Sequence, residues 1–114
     1  MKSCRIGKES KSFDLSEDEI RLTGMLKALG NPTRLAIVRR LAECHTCICG
    51  DIVATLPLAQ STVSQHLVVL KEAGLIFGVA DGSAICYFLN LEALEWLQRQ
   101  ITNFVVLCRD QTFP

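Results

Sequence analysis

The amino-acid sequence predicts a mainly α-helical domain that carries one small β-hairpin. Apolar residues recur at helical spacing in four separate stretches, which predicts four amphipathic helices. Asp81-Gly82 separates two short apolar runs, residues 75–79 and 85–89, as in a hairpin. The chain has 114 residues, of which 49% are hydrophobic, and this size fits one domain with its own core.

The predicted domain occupies residues 14–114, after a flexible N-terminal tail at residues 1–13. That tail is polar, basic and without apolar periodicity. Ser16 and Glu19 match a capping box that opens the first helix, and Gly30 ends it. The apolar face of this helix is predicted to consist of Leu22, Met25, Leu26 and Leu29.

A second helix is predicted to start at Asn31, whose side chain can cap it. Pro32 then occupies the first helical position, where its missing N–H costs nothing. The inner face is predicted to carry Leu35, Val38, Leu41 and Ala42, and the outer face Arg34, Arg39 and Arg40.

The stretch that organises the chain is a helix that follows a short helix at residues 51–56 and a turn at Pro57. Val63, Leu67 and Leu70 face inward, and Gly74 supplies the C-cap. The opposite face carries uncharged polar side chains, namely Gln60, Ser61, Ser64 and Gln65. Hydroxyls and amides can donate to and accept from base edges and phosphates. This pattern favours a helix in a DNA major groove, with an ordinary core helix as the alternative.

The last helix begins near Leu91 and carries a long apolar stripe. Its members are Leu94, Leu97, Ile101, Phe104, Val105 and Cys108. The stripe can pack on the first helix or pair with its copy in a second subunit. The order of elements matches a winged helix-turn-helix, and a homodimer with terminal dimerisation helices would match a symmetric operator in double-stranded DNA.

If the fold is a winged helix-turn-helix, seven residues are candidates for DNA contact. We expect Gln60, Ser61, Thr62, Ser64 and Gln65 to read or position the DNA, with His66 and Lys71 nearer its backbone. His66 lies at the edge of the inner face and can instead brace the core. The net charge is zero, so phosphate attraction adds little support.

The composition also limits location and chemistry. No apolar run approaches the ~20 residues of a membrane span, and the N-terminus lacks the apolar core of a signal peptide. We therefore expect a cytoplasmic protein with no membrane partner and with reduced cysteines. We do not expect an enzyme, since the chain has neither paired carboxylates near a nucleophile nor a glycine-rich phosphate loop.

Three of the six cysteines, Cys44, Cys47 and Cys49, lie within six residues of one another. As(III) and Sb(III) are soft and bind three thiolates, and cadmium, lead and zinc also accept thiolate ligands. The N-terminus of the following helix would favour the thiolate form. We predict Cys47 and Cys49 as ligands and Cys44 as the third. Cys4, Cys86 and Cys108 are the alternatives for that third position.

Other roles for the cysteines stay open. Cys44 can be a buried apolar residue at the end of the second helix, and Cys86 can be a buried apolar residue of a strand. The cluster can hold a structural zinc, or Cys44 and Cys47 can form a redox switch. A small thiol oxidoreductase or a metal-transfer protein is the alternative from another functional class.

Three segments together carry a family resemblance: residues 26–35, the Cys47-Ile48-Cys49 stretch with Asp51, and residues 60–75. With them the chain resembles the ArsR/SmtB family of metal-responsive repressors, and its arsenic-sensing branch in particular. The resemblance implies a homodimeric repressor that leaves its operator when an inducer binds.

The resemblance also implies the inducer. In this family, a Cys-x-Cys pair beside the helix that precedes the DNA-reading helix marks sensors of arsenite and antimonite, or of lead and cadmium in relatives. No resident cofactor is implied. Here Gly50 separates the pair from Asp51, which displaces it by one residue. The same fold sensing thiol oxidants or persulfides is the alternative.

Overall fold

The computed structural model describes residues 14–44 and 56–111 and has four helices and two strands there. The helices are α1 (Glu17–Leu29), α2 (Pro32–Glu43), α3 (Gln60–Glu72) and α4 (Leu91–Arg109). The strands β1 (Ile76–Asp81) and β2 (Ala84–Leu89) form an antiparallel hairpin between α3 and α4. The predicted fold class is confirmed. The predicted N-terminal tail lies outside the described residues, as does nearly all of the short helix predicted at 51–56.

Local capping fixes the starts of α1 and α2 as predicted. The Ser16 hydroxyl accepts a hydrogen bond from the backbone N–H of Glu19 at 3.1 Å, and the Glu19 carboxylate accepts one from the N–H of Ser16 at 3.0 Å. The Asn31 side chain accepts from the N–H groups of Thr33 and Arg34. These bonds satisfy N–H groups that have no partner inside a helix.

A single apolar core joins all the described elements. Met25, Ile37, Val63, Leu70 and Leu75 are its largest fully buried side chains. The remaining buried members come from α1, α2, α3, β1 and α4: Leu22, Ala28, Val38, Leu41, Leu67, Ile76, Ala93 and Leu97. The inward positions predicted for α3 are therefore confirmed.

The face of α2 differs from the prediction at several positions. Leu35 is 53% exposed and Ala42 is exposed, whereas Ile37 is fully buried. The side of α2 that faces the protein carries Arg34, Ile37, Val38 and Leu41, so the inner positions predicted for Leu35 and Ala42 and the outer position predicted for Arg34 were wrong. The physical reason is that α2 packs against α1, α3 and β2 together. Three neighbours determine its orientation, and its own apolar pattern does not.

Gly74 ends α3 with backbone geometry that favours glycine. Its φ is +78°, its N–H donates to the carbonyl of Lys71, and the N–H of Leu75 donates to the carbonyl of Leu70, both at 3.0 Å. This pair of bonds is a Schellman motif. It turns the chain from α3 directly into β1, so the predicted role of Gly74 is confirmed.

The hairpin pairs Ile76 with Leu89 at its base and Asp81 with Ala84 at its tip. Gly82 in the turn has a φ of +63°, which suits a two-residue hairpin loop. The rings of Phe77 and Phe88 stack with centroids 5.6 Å apart. This hairpin is the wing of the fold.

Asn90 joins the wing to the helices on both sides of it. Its side-chain amide donates to the carbonyl of Gly74 at 3.0 Å, and its N–H donates to the carbonyl of Leu75 at 2.9 Å. Its side-chain oxygen accepts from the N–H of Ala93 and caps α4. One residue therefore fixes the end of α3 and the start of α4 together.

The two halves of α4 have different surroundings. Ala93 and Leu97 are buried in the core, and the Arg21 guanidinium of α1 lies 4.1 Å from the centre of the Trp96 ring. The second half is exposed on every side. Its large apolar residues Ile101, Phe104, Val105, Val106 and Leu107 are between 43% and 64% exposed. None of the described helices combines the length and apolarity that crossing a membrane requires.

Candidate nucleic-acid interface

The outward face of α3 is polar and uncharged along most of its length. Gln60, Ser61, Ser64 and Gln65 are exposed, as their spacing predicts. Lys71 is exposed near the C-terminal end of the helix. Thr62 and His66 are half-buried on the flank of the helix. The seven candidate DNA-contact residues therefore lie on one continuous stretch of the helix surface and its edge.

The N-terminus of α3 can attract anions. Its N-cap is Ala59, whose methyl group cannot accept a hydrogen bond, and no side chain within residues 14–44 and 56–111 caps this end. The first-turn N–H groups of Gln60 and Ser61 therefore point out of the helix without a capping acceptor. Such groups, with the positive end of the helix dipole, form a ready-made site for a phosphate.

The rear of α3 is held by the core and by one polar contact. Val63, Leu67 and Leu70 are buried on that side. On the flank, the Arg34 guanidinium of α2 lies 3.3 Å from the Nδ1 atom of His66. This contact braces the helix, which is one of the two roles that the sequence left open for His66.

Arg34, which contacts the flank of α3, is a residue that sequence analysis placed wrongly. Its Nε donates to the carbonyl of Ala28 at 2.7 Å and its Nη2 to the carbonyl of Lys27 at 3.3 Å, both in the last turn of α1. The spacing of Arg34, Ile37, Val38 and Leu41 was the available signal, since it places the arginine on the buried side of α2. An arginine at a half-buried position needs acceptors for the N–H groups that are turned from solvent, and these carbonyls supply them.

The thiols are described only in part. Cys44 is the C-cap of α2, half-buried against the core, and its thiol is not in a disulfide. The predicted ligands Cys47 and Cys49 lie outside the described residues, as does Cys4. Cys86 is buried in β2 and is disulfide-bonded, so the reduced state predicted for the cysteines is wrong for this residue, and it offers no thiolate as a third ligand. Cys108 is an exposed thiol on α4. Among residues 14–44 and 56–111, no group of three or more metal-ligating side chains could hold an ion.

One family model and two curated proteins show where this sequence belongs. Residues 31–76 match the family model described as "Bacterial regulatory protein, arsR family". The HTH-type transcriptional repressor SmtB of Mycobacterium tuberculosis is 42% identical over 65 residues, which cover 57% of this chain and 47% of that protein. The chain thus spans about half the length of SmtB. The cadmium resistance transcriptional regulatory protein CadC of Listeria innocua is 32% identical over 78% of this chain and 76% of its own.

The chain belongs to the ArsR family of bacterial regulatory proteins.

Other ArsR-family relatives agree with this assignment. The arsenical resistance operon repressor of Escherichia coli is 33% identical over 68% of this chain and 66% of that protein. The crystal structure of an ArsR family transcriptional regulator superposes with a TM-score of 0.72, covering 82% of this chain and 95% of that one. At 20% identity it supports the fold alone. The relatives are named for arsenic and for cadmium, so the arsenic-sensing branch stays a prediction.

Proposed function

We propose that this ArsR-family protein is a transcriptional repressor that binds double-stranded operator DNA as a homodimer through α3. Metalloid binding to its cysteines then releases it from the DNA. The observation that carries the proposal is the surface of α3: an uncharged polar face with an uncapped N-terminus, on a helix whose rear is fully packed. Such a helix is rigid and presents hydrogen-bonding groups that suit the major groove.

The seven surface residues divide by chemistry. Gln60, Ser61, Thr62, Ser64 and Gln65 read base edges or position the helix, since amides and hydroxyls both donate and accept. His66 and Lys71 contact the phosphate backbone from the flank and the C-terminal end of α3. The free N–H groups at the start of the helix supply a further phosphate contact.

The exposed half of α4 supports a homodimer. An open apolar pocket with a volume of about 630 Å³ lies on this half of the helix. It is lined by Ile101, Phe104, Val105 and Cys108. A contiguous apolar patch of this kind is typical of a protein–protein interface. Pairing with its own copy covers the patch and places one α3 against each half-site of a symmetric operator.

The inducer is As(III) or Sb(III), with cadmium and lead as weaker candidates. Cys47 and Cys49 bind it, and Cys44 supplies the third thiolate. The free Cys44 thiol at the end of α2 supports this assignment, as do relatives named for arsenical and cadmium resistance. Soft thiolates suit these ions. A coupling free energy of ~3 kcal/mol would weaken DNA binding ~100-fold, and the inducer would prefer the released protein by the same factor.

The test begins with a DNA site selected from a random-sequence pool by the full-length protein. Anisotropy of labelled DNA then follows release during titration with arsenite, antimonite, cadmium, zinc and a persulfide donor. We expect arsenite to release the DNA from the wild type and to have no effect on Cys47→Ser. Cys108→Ser is the matched control and keeps its response. Undiminished release from Cys47→Ser would remove that thiol from the mechanism.

A second candidate is the same repressor with a thiol-oxidation or persulfide response. The Cys44 and Cys108 thiols favour it, because neither is in a disulfide and a reduced thiol is the group that oxidants and persulfides modify. Release by the persulfide donor without bound metalloid, lost in Cys108→Ser, would select this mechanism over arsenite sensing.

A further inference from the structure

We propose that Arg34 is a positioning residue for DNA binding: it fixes His66 as the Nε2–H tautomer, whose N–H donates to a DNA phosphate oxygen. This inference rests on the proposed binding of DNA by α3. It adds to that proposal a residue on another helix and the protonation state in which His66 acts.

The first step concerns the guanidinium, which is held by two carbonyl groups. Nε donates to Ala28 at 2.7 Å and Nη2 to Lys27 at 3.3 Å, so the plane and direction of the group are fixed by the last turn of α1. A cation at the C-terminus of a helix is also favoured by the helix dipole. The remaining nitrogen, Nη1, then faces His66.

The second step concerns the imidazole. A guanidinium has five N–H donors and no acceptor. The contact of 3.3 Å between Nη1 and Nδ1 is therefore a hydrogen bond only if Nδ1 carries a lone pair. In a neutral imidazole with an unprotonated Nδ1, the proton is on Nε2. Arg34 thus selects one tautomer of His66 and excludes the other.

The third step concerns Nε2, which has no partner in residues 14–44 and 56–111. None of the buried side-chain nitrogen and oxygen atoms in those residues is without a hydrogen bond. Since His66 is half-buried and Nε2 is unpaired there, Nε2 must be accessible to solvent. His66 lies on the same flank of α3 as Thr62, which is one helical turn earlier in the sequence. A donor at that flank suits a phosphate better than a base edge.

Two substitutions of His66 separate the two ring nitrogens. His66→Asn keeps an acceptor near the position of Nδ1 and removes the donor at Nε2. His66→Gln places an amide N–H near the position of Nε2 and removes the acceptor at Nδ1. If the outward donor matters, His66→Gln retains DNA affinity within about threefold, and His66→Asn loses about tenfold, as expected for one hydrogen bond to a charged acceptor.

Substitutions on α2 test the positioning role. Arg34→Gln should lose about two- to threefold in DNA affinity, less than His66→Asn, because a mixture of tautomers keeps the Nε2–H donor in part of the molecules. Arg40→Gln is the matched control, because it removes the same charge from an exposed position of the same helix. Combining Arg34→Gln with His66→Asn should cost little more than His66→Asn alone, since both act on one contact.

Nitrogen NMR reports the tautomer of His66 directly. If Arg34 served only to stabilise the fold, its substitution would leave that tautomer unchanged. The chain has two histidines, so His66→Gln assigns the imidazole signals of the ¹⁵N-labelled full-length protein. At pH 8.5, His66 in the wild type and in Arg40→Gln should show the pure Nε2–H pattern, and Arg34→Gln should show a mixture of tautomers.

These experiments distinguish a failure of the role proposed for Arg34 and His66 from a failure of the proposed function. If the wild type selects no DNA sequence, the proposed function and the phosphate contact both fail, and the NMR spectra still decide the tautomer. If the wild type binds DNA but His66→Asn and His66→Gln lose equal affinity, the donor role is overturned. An unchanged tautomer in Arg34→Gln overturns the positioning role. Because the histidine variants leave Arg34 in place, the donor test survives even if Arg34→Gln fails to fold.

Discussion

Single residues explain where the elements of this ArsR-family protein begin and end. Ser16, Asn31 and Gly74 were predicted correctly because a cap depends on neighbours within four residues, and the sequence contains all of them. Arg34 was placed wrongly because its acceptors lie on α1 and α3. Only tertiary packing brings those groups to it, and helical periodicity cannot show this.

At this scale we predict opposite effects of the same substitution at two glycines. Gly74→Ala should lower the free energy of unfolding by about 1–2 kcal/mol, because φ is +78° there. A Cβ at this position meets nothing within 4 Å, so the cost comes from the backbone alone. Gly24→Ala, in the exposed middle of α1, should raise stability by about 0.5–1 kcal/mol.

Urea unfolding monitored by circular dichroism measures both glycine variants. A Cβ added at Gly24 also meets nothing within 4 Å, so Gly24→Ala is the matched control for Gly74→Ala. Equal stability changes of one sign in the two variants would contradict the assignment of Gly74 to a left-handed cap.

The wing lies where the sequence predicted it, but its strands lack the basic side chains that attract DNA phosphates. β1 and β2 contain no lysine, arginine or histidine, and the tip carries Asp81. Phe77, Val79, Ile85 and Phe88 are exposed on the strands. The wing therefore adds no positive charge for phosphates, so the proposed DNA contact depends on the hydrogen-bonding groups of α3.

We predict that Asp81→Lys tightens DNA binding if the wing tip approaches the duplex. The change removes a repulsion and adds a cation, so the slope of log K against log salt should steepen by about 1–2. Affinity should rise several-fold at low salt, as measured by anisotropy across a salt series. Glu95→Lys makes the same charge change on α4 and should affect the slope less. Equal slopes in the two variants would indicate that the wing stays away from the DNA.

At the scale of the whole molecule, the sequence predicted which helix would have surplus apolar surface. The stripe on α4 divides at about Ile101: residues before it complete the core, and those from it onward are exposed. The division could not be predicted, because it depends on how far α1 extends along α4. The predicted ligands Cys47 and Cys49 lie outside the described residues, so the inducer site stays a prediction.

We predict that Phe104→Glu converts a homodimer into monomers. Phe104 is 52% exposed in the single chain, and a carboxylate in an apolar interface would be buried without a partner. Sedimentation should show the monomer, and DNA affinity should fall by at least about tenfold as two linked half-site contacts become independent. Gln98→Glu adds the same charge at an exposed polar position of α4 and should remain dimeric. A dimeric Phe104→Glu would place the subunit contact elsewhere.

The three hydrogen bonds of Asn90 have a mechanical consequence. Its amide bridges the backbone that leaves α3 and the backbone that enters α4. A tilt of α4 would therefore strain the backbone at the end of α3 through the Asn90 side chain as well as through the apolar core that both helices share. If the protein is the repressor proposed above, a change in how its α4 helices pair would reach the proposed DNA-binding helix by this short covalent and hydrogen-bonded route.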